Sequence, residues 1–178
     1  MVHSILLICG SVRVGSINAA VIATVADLVR TPLATDTYNG LGGRPHFNPD
    51  LDHDALPVEV AELRAAIRDA SALLVSTPEY AGAMPGALKN LLEWTIGGAE
   101  ISDKPTGWIN PSTTPLRAEK TYASLATVLG YTGATLIDGA CVDVPVPRQS
   151  IDEHGLVRDE LIRRSMSGAI AALTQAIV

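Results

Sequence analysis

Five apolar residues in succession, Ile5-Leu6-Leu7-Ile8-Cys9, run into Gly10 near the N-terminus. After a short polar loop, helical periodicity begins at Ile17. An uninterrupted apolar run suits a strand buried on both faces, as in a parallel sheet. The loop that follows, Gly10-Ser11-Val12-Arg13-Val14-Gly15-Ser16-Ile17-Asn18, supplies hydroxyl, guanidinium and amide donors, with backbone freedom at its two glycines. The start of the helix adds unpaired N–H groups and a partial positive charge. Together these make a site for an anion, and a phosphate is the expected one.

Several phosphate loops are excluded by spacing. A Walker A loop needs Lys-Ser or Lys-Thr after its second glycine, whereas Gly15 is followed by Ser16-Ile17. The dinucleotide fingerprint needs a glycine where this chain has Val12. A phosphatase cradle built on Cys9 would need an arginine where the chain has Gly15.

The chain has 178 residues, 47% of them hydrophobic and 18% charged, which suits one globular domain spanning residues 1–178 with a sizeable core. A net charge of −6 argues against nonspecific nucleic-acid binding. It leaves room for an anionic cofactor held by a local nest of donors. Cys9 and Cys141, the only cysteines, fall in apolar strand-like runs and read as small buried hydrophobes. Two cysteines cannot hold an iron–sulfur cluster within one chain. With no signal-peptide pattern and no apolar run of membrane-spanning length, a cytoplasmic location away from membranes is expected.

Periodicity divides the chain into alternating elements. Helices are expected over 17–30, 56–70, 85–96, 116–129 and 158–178, and strands over 5–9, 35–38, 72–77, 106–110 and 135–144. Pro32 is read as the stop of the first helix and Ser16 as its N-cap. The stretch from Asn39 to Asp54, rich in Gly, Pro, Asn and Asp, reads as a loop. Alternation without linker or repeat implies a three-layer α/β sandwich on a five-stranded parallel sheet. In a flavodoxin-like strand order, a ligand sits at the carboxyl ends of strands one, three and four.

The second informative stretch falls after strand three: Ser76-Thr-Pro-Glu-Tyr-Ala-Gly-Ala-Met-Pro-Gly-Ala-Leu-Lys-Asn-Leu-Leu-Glu-Trp94. Pro78 stiffens the strand exit, and Gly82, Pro85 and Gly86 shape a compact turn. Such a turn can aim backbone N–H groups at a flat polar ring edge, with the aromatic face of Tyr80 beside it. This segment closely resembles the Pro-Glu-Tyr-x-x-x-x-Pro-x-x-Leu-Lys-Asn-x-x-Glu/Asp-Trp signature of the NAD(P)H-dependent FMN reductase family. The loop Gly-Ser-x-Arg-x-x-Ser-x-Asn resembles the FMN-phosphate loop of the same family, whose relatives reduce quinones, azo dyes and chromate. The two segments lie in the family's order, and the resemblance runs from Ser4 to about Val144.

The resemblance implies that Ser11, Arg13, Ser16 and Asn18, with Ile17 at the helix start, hold the FMN phosphate. Pro78, Glu79, Tyr80 and Ala81 would border the isoalloxazine ring, largely through backbone contacts. The family often has asparagine at the place of Ala81. After strand four it has several glycines, where this chain has Asn110-Pro111-Ser112-Thr113-Thr114-Pro115 and then Leu116-Arg117. Asn110 and Ser112 are the expected ring-edge contacts in this stiffer loop.

Plainer roles compete for several of these residues. Arg13 is a solvated arginine in isolation, Ser16 an N-cap that also serves the phosphate, and Tyr80 a packing aromatic. Glu79 is read as solvent-facing and not as a catalytic acid. Lys89 and Glu93 lie four apart on one helix, in the weaker order for an ion pair. Trp94 and Trp108 read as core or subunit-interface residues. The apolar Leu88, Leu91, Leu92 and Ile96 read as either core or subunit surface. The four histidines, His3, His46, His53 and His154, lack metal-ligand spacing and are expected in exposed loops. No serine lies in a Gly-x-Ser-x-Gly elbow, so a hydrolase lacks its nucleophile.

The family's chemistry implies FMN as cofactor and NADPH or NADH as hydride donor to flavin N5. A small acceptor would then take its turn in a ping-pong sequence that needs no side-chain nucleophile. Free flavin, quinones, azo dyes and oxidised metals are the implied acceptors, and a homodimer or homotetramer the implied assembly. Two alternatives remain at this level. One is a flavodoxin-like electron carrier without its own NAD(P)H activity, against which Arg13 and the Tyr80 segment speak. The other is a binding protein with a decayed flavin site, suggested by Ala81 and the proline-bearing loop.

Overall fold

The computed structural model describes residues 3–114 and 118–177. Strand β1 (Ser4–Cys9) leads to helix α1 (Ile17–Leu28), then β2 (Ala34–Tyr38), α2 (Val58–Asp69) and β3 (Ala72–Ser76). Helix α3 (Gly86–Glu93), β4 (Pro105–Asn110), α4 (Glu119–Tyr131), β5 (Thr135–Asp143) and α5 (Glu160–Ala176) complete the alternation. The five strands form one sheet in the order β2-β1-β3-β4-β5, with every neighbouring pair parallel. That is the flavodoxin-like order, with the crossovers reversing direction between β1 and β3.

Alternate residues of each central strand feed two separate cores, because successive side chains point to opposite faces of a sheet. Leu6 and Ile8 of β1 and Leu73 and Val75 of β3 pack with Leu63 and Ile67 of α2, Leu88 and Leu91 of α3, and Leu125 and Leu129 of α4. Ile5, Leu7 and Leu74 face the other way, onto Val21, Ile22 and Val25 of α1 and Met166, Ile170 and Leu173 of α5. Ile5 to Ile8 are at most 1% exposed. Each contributes about 1.5–3 kcal/mol of burial, so β1 is fixed in register and its end, where the polar loop starts, is fixed with it.

Element ends differ from the periodicity by a few residues, for local reasons. Helix α1 stops at Leu28, not Arg30: Val29 is extended, and the chain turns back so that the Ala34 N–H meets His3 O at 2.9 Å. Pro57 stands at the N-cap of α2, which begins at Val58. Helix α3 is shorter than expected and gives way at Trp94, before the Gly97-Gly98 pair. Helix α4 begins at Glu119, after Ala118 in a left-handed conformation (φ 69°); the expected start at Leu116 lies outside the described residues, as does Val178. Helix α5 begins at Glu160 because the Asp159 carboxylate accepts from the Leu161 and Ile162 N–H groups.

Leu88, Leu91, Leu92 and Trp94 are core, at most 1% exposed, while Ile96 is 59% exposed. Trp108 is half-buried and leans on the Tyr122 ring, with centroids 5.6 Å apart. Cys9 and Cys141 are half-buried free thiols and not fully buried hydrophobes. Burial still pushes both thiols up, Cys141 to about 11. His3, His46, His53 and His154 are exposed. Among the described residues no cluster of His, Cys, Asp or Glu could hold a metal ion. Among the described residues no helix is long and apolar enough to cross a membrane.

Candidate functional site

The carboxyl ends of β1, β3 and β4 meet at a cleft of about 450 Å³. Its first wall is the loop after β1. Ser16 caps α1: its Oγ accepts from the Ala19 N–H at 3.0 Å, and its carbonyl accepts from the Ala20 N–H at 3.1 Å. The Ile17 and Asn18 N–H groups have no partner among the described residues and remain as the open donors of the helix start. Ser11 Oγ accepts from the Arg13 N–H at 3.3 Å. Both serine hydroxyls thus accept within the loop. Arg13 is exposed and forms no ion pair among the described residues.

The second wall is the exit of β3. The Gly10 N–H donates to Ser76 O at 2.8 Å. A Cβ on Gly10 would stand 2.3 Å from Thr77 Oγ1, so only glycine allows the two strand exits this close. After Thr77 the chain makes a tight hairpin in which Tyr80 and Ala83 exchange both backbone bonds, at 2.9 and 3.1 Å. Its central residues both have positive φ, 52° at Ala81 and 74° at Gly82. This is a type I′ turn, which favours Asn-Gly. The turn therefore supplies a backbone reason for an asparagine at the place of Ala81. Tyr80 stands on the cleft wall, 52% exposed. Glu79 is half-buried and not simply solvent-facing: its Oε2 accepts from Thr121 Oγ1 at 3.4 Å.

The third wall is the loop after β4. Asn110 is 6% exposed, and its side chain is committed to structure. Nδ2 donates to Asp143 at 2.8 Å, and Oδ1 accepts from the Ser112 N–H at 3.1 Å. The Ser112 hydroxyl is tied to Thr114, donating to its carbonyl at 3.3 Å. Asn110 thus braces the loop between β4 and β5. The loop's Pro115, Leu116 and Arg117 lie outside the described residues.

Below the cleft a buried polar network joins the three strand ends. Ser76 Oγ lies 2.9 Å from both Asn18 Oδ1 and Ile109 O. Tyr122 of α4 places its hydroxyl against the Thr77 N–H, Thr77 O and Ile109 O, at 3.3, 3.0 and 3.1 Å. Burial drives this phenol well above the usual tyrosine range.

Of the residues singled out in the sequence, Ser11, Arg13, Ser16, Ile17, Asn18, Pro78, Glu79, Tyr80, Asn110 and Ser112 all stand on the cleft wall. Ala81 does not: it is exposed at the tip of the turn. Thr77, Pro111 and Ala118 also line the cleft. Tyr122 carries no motif signal in the sequence, because three residues before Leu125 it suits a core position of the helix.

An FMN molecule carries a phosphate at one end and a flat ring with a polar edge at the other. The donor set fits that shape. Two open helix N–H groups, two hydroxyls and a guanidinium gather at one end. At the other are Tyr80 and the Glu79 N–H, which has no partner among the described residues.

Comparison with known proteins finds reductases that match nearly the whole chain. The 2-hydroxy-1,4-benzoquinone reductase of a Burkholderia species is 29% identical over 167 residues, 92% of this chain and 90% of that one. An NAD(P)H-dependent FMN reductase of Pseudomonas aeruginosa is 28% identical over 171 residues, covering 95% and 92% of the two chains. Among solved structures, the FerB flavoenzyme NAD(P)H:(acceptor) oxidoreductase of Paracoccus denitrificans superposes with a TM-score of 0.81 at 27% identity, over 99% of this chain and 97% of that one. The sequence profile of NADPH-dependent FMN reductases matches residues 3–145. The chain belongs to the NADPH-dependent FMN reductase family of oxidoreductases, whose cofactors are FMN and NAD(P)H.

Proposed function

We propose that this protein is an FMN-dependent NAD(P)H oxidoreductase acting on a quinone-class acceptor by a ping-pong sequence. FMN, when bound, supplies the redox chemistry, a relay of hydride from the nicotinamide to the acceptor in two separate half-reactions. The observation that carries the reading is the gathering of open helix N–H groups, two serine hydroxyls and Arg13 at the phosphate end of the cleft. A quinone is favoured over other acceptors because curated relatives at 28–32% identity are named quinone reductases.

On this reading Ser11, Arg13, Ser16, Ile17 and Asn18 anchor the phosphate. Asn18 does so through its backbone N–H and its carboxamide NH2, the donor end of a side chain whose oxygen lies 2.9 Å from Ser76 Oγ. Pro78, Glu79 and Tyr80 border the ring, with Ala81 shaping the turn beyond them. Asn110 and Ser112 hold the opposing loop in place. One globular domain, a cytoplasmic location and a homodimer or homotetramer belong to the same reading. Exposed Val12, Val14 and Tyr80 near the cleft supply apolar surface for a subunit contact, and light scattering of the purified protein tests it.

The test is an absorbance spectrum of the FMN-loaded, desalted protein before and after anaerobic NADPH, then after benzoquinone. Flavin bands that bleach with NADPH and return with quinone are expected. Bands that bleach only with dithionite refute the NADPH reaction and indicate an electron carrier. Replacing Arg13 by alanine should weaken FMN binding by about 1–3 kcal/mol, the range for a hydrogen bond to a charged group.

A further inference from the structure

We propose that Arg148 is a positioning residue for the phosphate loop, and that it selects for the phosphorylated flavin through the Gly15–Ser16 peptide. The inference rests on the reading that this loop holds the FMN phosphate. Arg148 lies beyond the residues matched by the family profile, which end at 145. Its Nη1 donates to Gly15 O at 2.6 Å. Gly15 has a φ of 64° and directly precedes the N-cap Ser16.

In a trans peptide the C=O and N–H point in opposite directions. A guanidinium that holds the Gly15 carbonyl therefore aims the Ser16 N–H the other way, and that N–H has no partner among the described residues. A bare carbonyl beside an anion site repels the anion. Arg148 draws that negative pole to itself and polarises the peptide so that its N–H is a stronger donor.

The base from which Arg148 reaches is fixed to the same helix that presents the site. Arg148–Ser150 form a short 3-10 turn, closed by Ser150 Oγ on Pro147 O at 2.7 Å. The Arg158 N–H donates to Ser150 O at 2.9 Å. The neighbouring Val157 N–H donates to Thr24 Oγ1 of α1 at 2.9 Å, and Arg163 pairs with Asp27 of α1 at 2.7 Å. The segment thus straps α1 along its length and ends on the loop at its N-terminus.

The test compares FMN with riboflavin, which lacks the phosphate, by fluorescence-quenching titration of the full chain. Arg148→Ala should weaken FMN about tenfold and leave riboflavin unchanged, with Arg148→Lys restoring part of the loss. Unchanged FMN affinity, or equal weakening of FMN and riboflavin, overturns the inference. Arg13→Ala separates the two levels. If it weakens FMN while Arg148→Ala is silent, only the role of Arg148 falls. If the unaltered protein binds FMN no tighter than riboflavin and Arg13→Ala is silent too, the phosphate-loop reading falls as well.

Discussion

Replacing Tyr122 by phenylalanine isolates one hydroxyl that ties the floor of the cleft together. The ring stays, so its packing on Trp108 and the core is kept. Lost are an acceptor for the Thr77 N–H and a donor for one of two carbonyls, Thr77 O or Ile109 O. Ile109 O still accepts from Ser76 Oγ, so it is not orphaned. Thr77 is 1% exposed, so its N–H has little access to water as a replacement partner. A buried donor left unsatisfied costs about 1–3 kcal/mol; the long 3.3 Å bond from the Thr77 N–H lowers the figure and the loss of the 3.0 Å bond to Thr77 O raises it, leaving about 2 kcal/mol. For a chain of this size each kcal/mol lowers Tm by about 2–4 °C. Tyr122→Phe should therefore lower Tm by about 4–8 °C, read by thermal unfolding without FMN. FMN affinity should fall too, since Thr77 lines the cleft. A Tm within about 1 °C of the parent would refute the accounting, because it would mean the hydroxyl exchanges freely with water.

Ala81→Asn should stabilise the protein by about 0.5–1 kcal/mol, since it gives the type I′ turn the Asn-Gly pair it favours and relieves a left-handed alanine; chemical denaturation measures this, and a loss would mean the turn is not strained. Gly10→Ala should lower stability by about 1–3 kcal/mol and weaken FMN binding, because the new methyl meets Thr77 and must push the β1 and β3 exits apart; a neutral result in both assays would contradict the close approach. Arg163 beside Asp27 holds that carboxyl below its ordinary value of 3.8. A carboxyl lowered on folding stabilises above its unfolded pKa and ceases to as pH falls through its folded one. Tm should thus fall as pH drops below about 4, and Asp27→Asn should flatten part of that fall; a parallel acid limb in the variant would remove Asp27 as a cause.

The alternation of strands and helices, the buried central strand and the polar loop that walls one side of the cleft are legible in the sequence alone. These are local facts. An apolar run at Ile5 to Ile8 has only one way to be buried on both faces, and Ser16 followed by a helical pattern caps that helix wherever it packs. Ser11, Arg13, Ile17 and Asn18 follow within the same loop and could be named together for that reason. The meetings between distant segments come instead from how the elements pack. Asn110 reads as a ring contact until Asp143 is seen to hold its amide from the next strand. Glu79 reads as solvated until Thr121 arrives from α4. Tyr122 and Arg148 carry no local signal at all: one looks like a core position and the other like a surface arginine. Their partners, Thr77 and Gly15, come beside them only when the crossovers stack the carboxyl ends of β1, β3 and β4 together, because parallel strands place in one row residues that lie far apart along the chain.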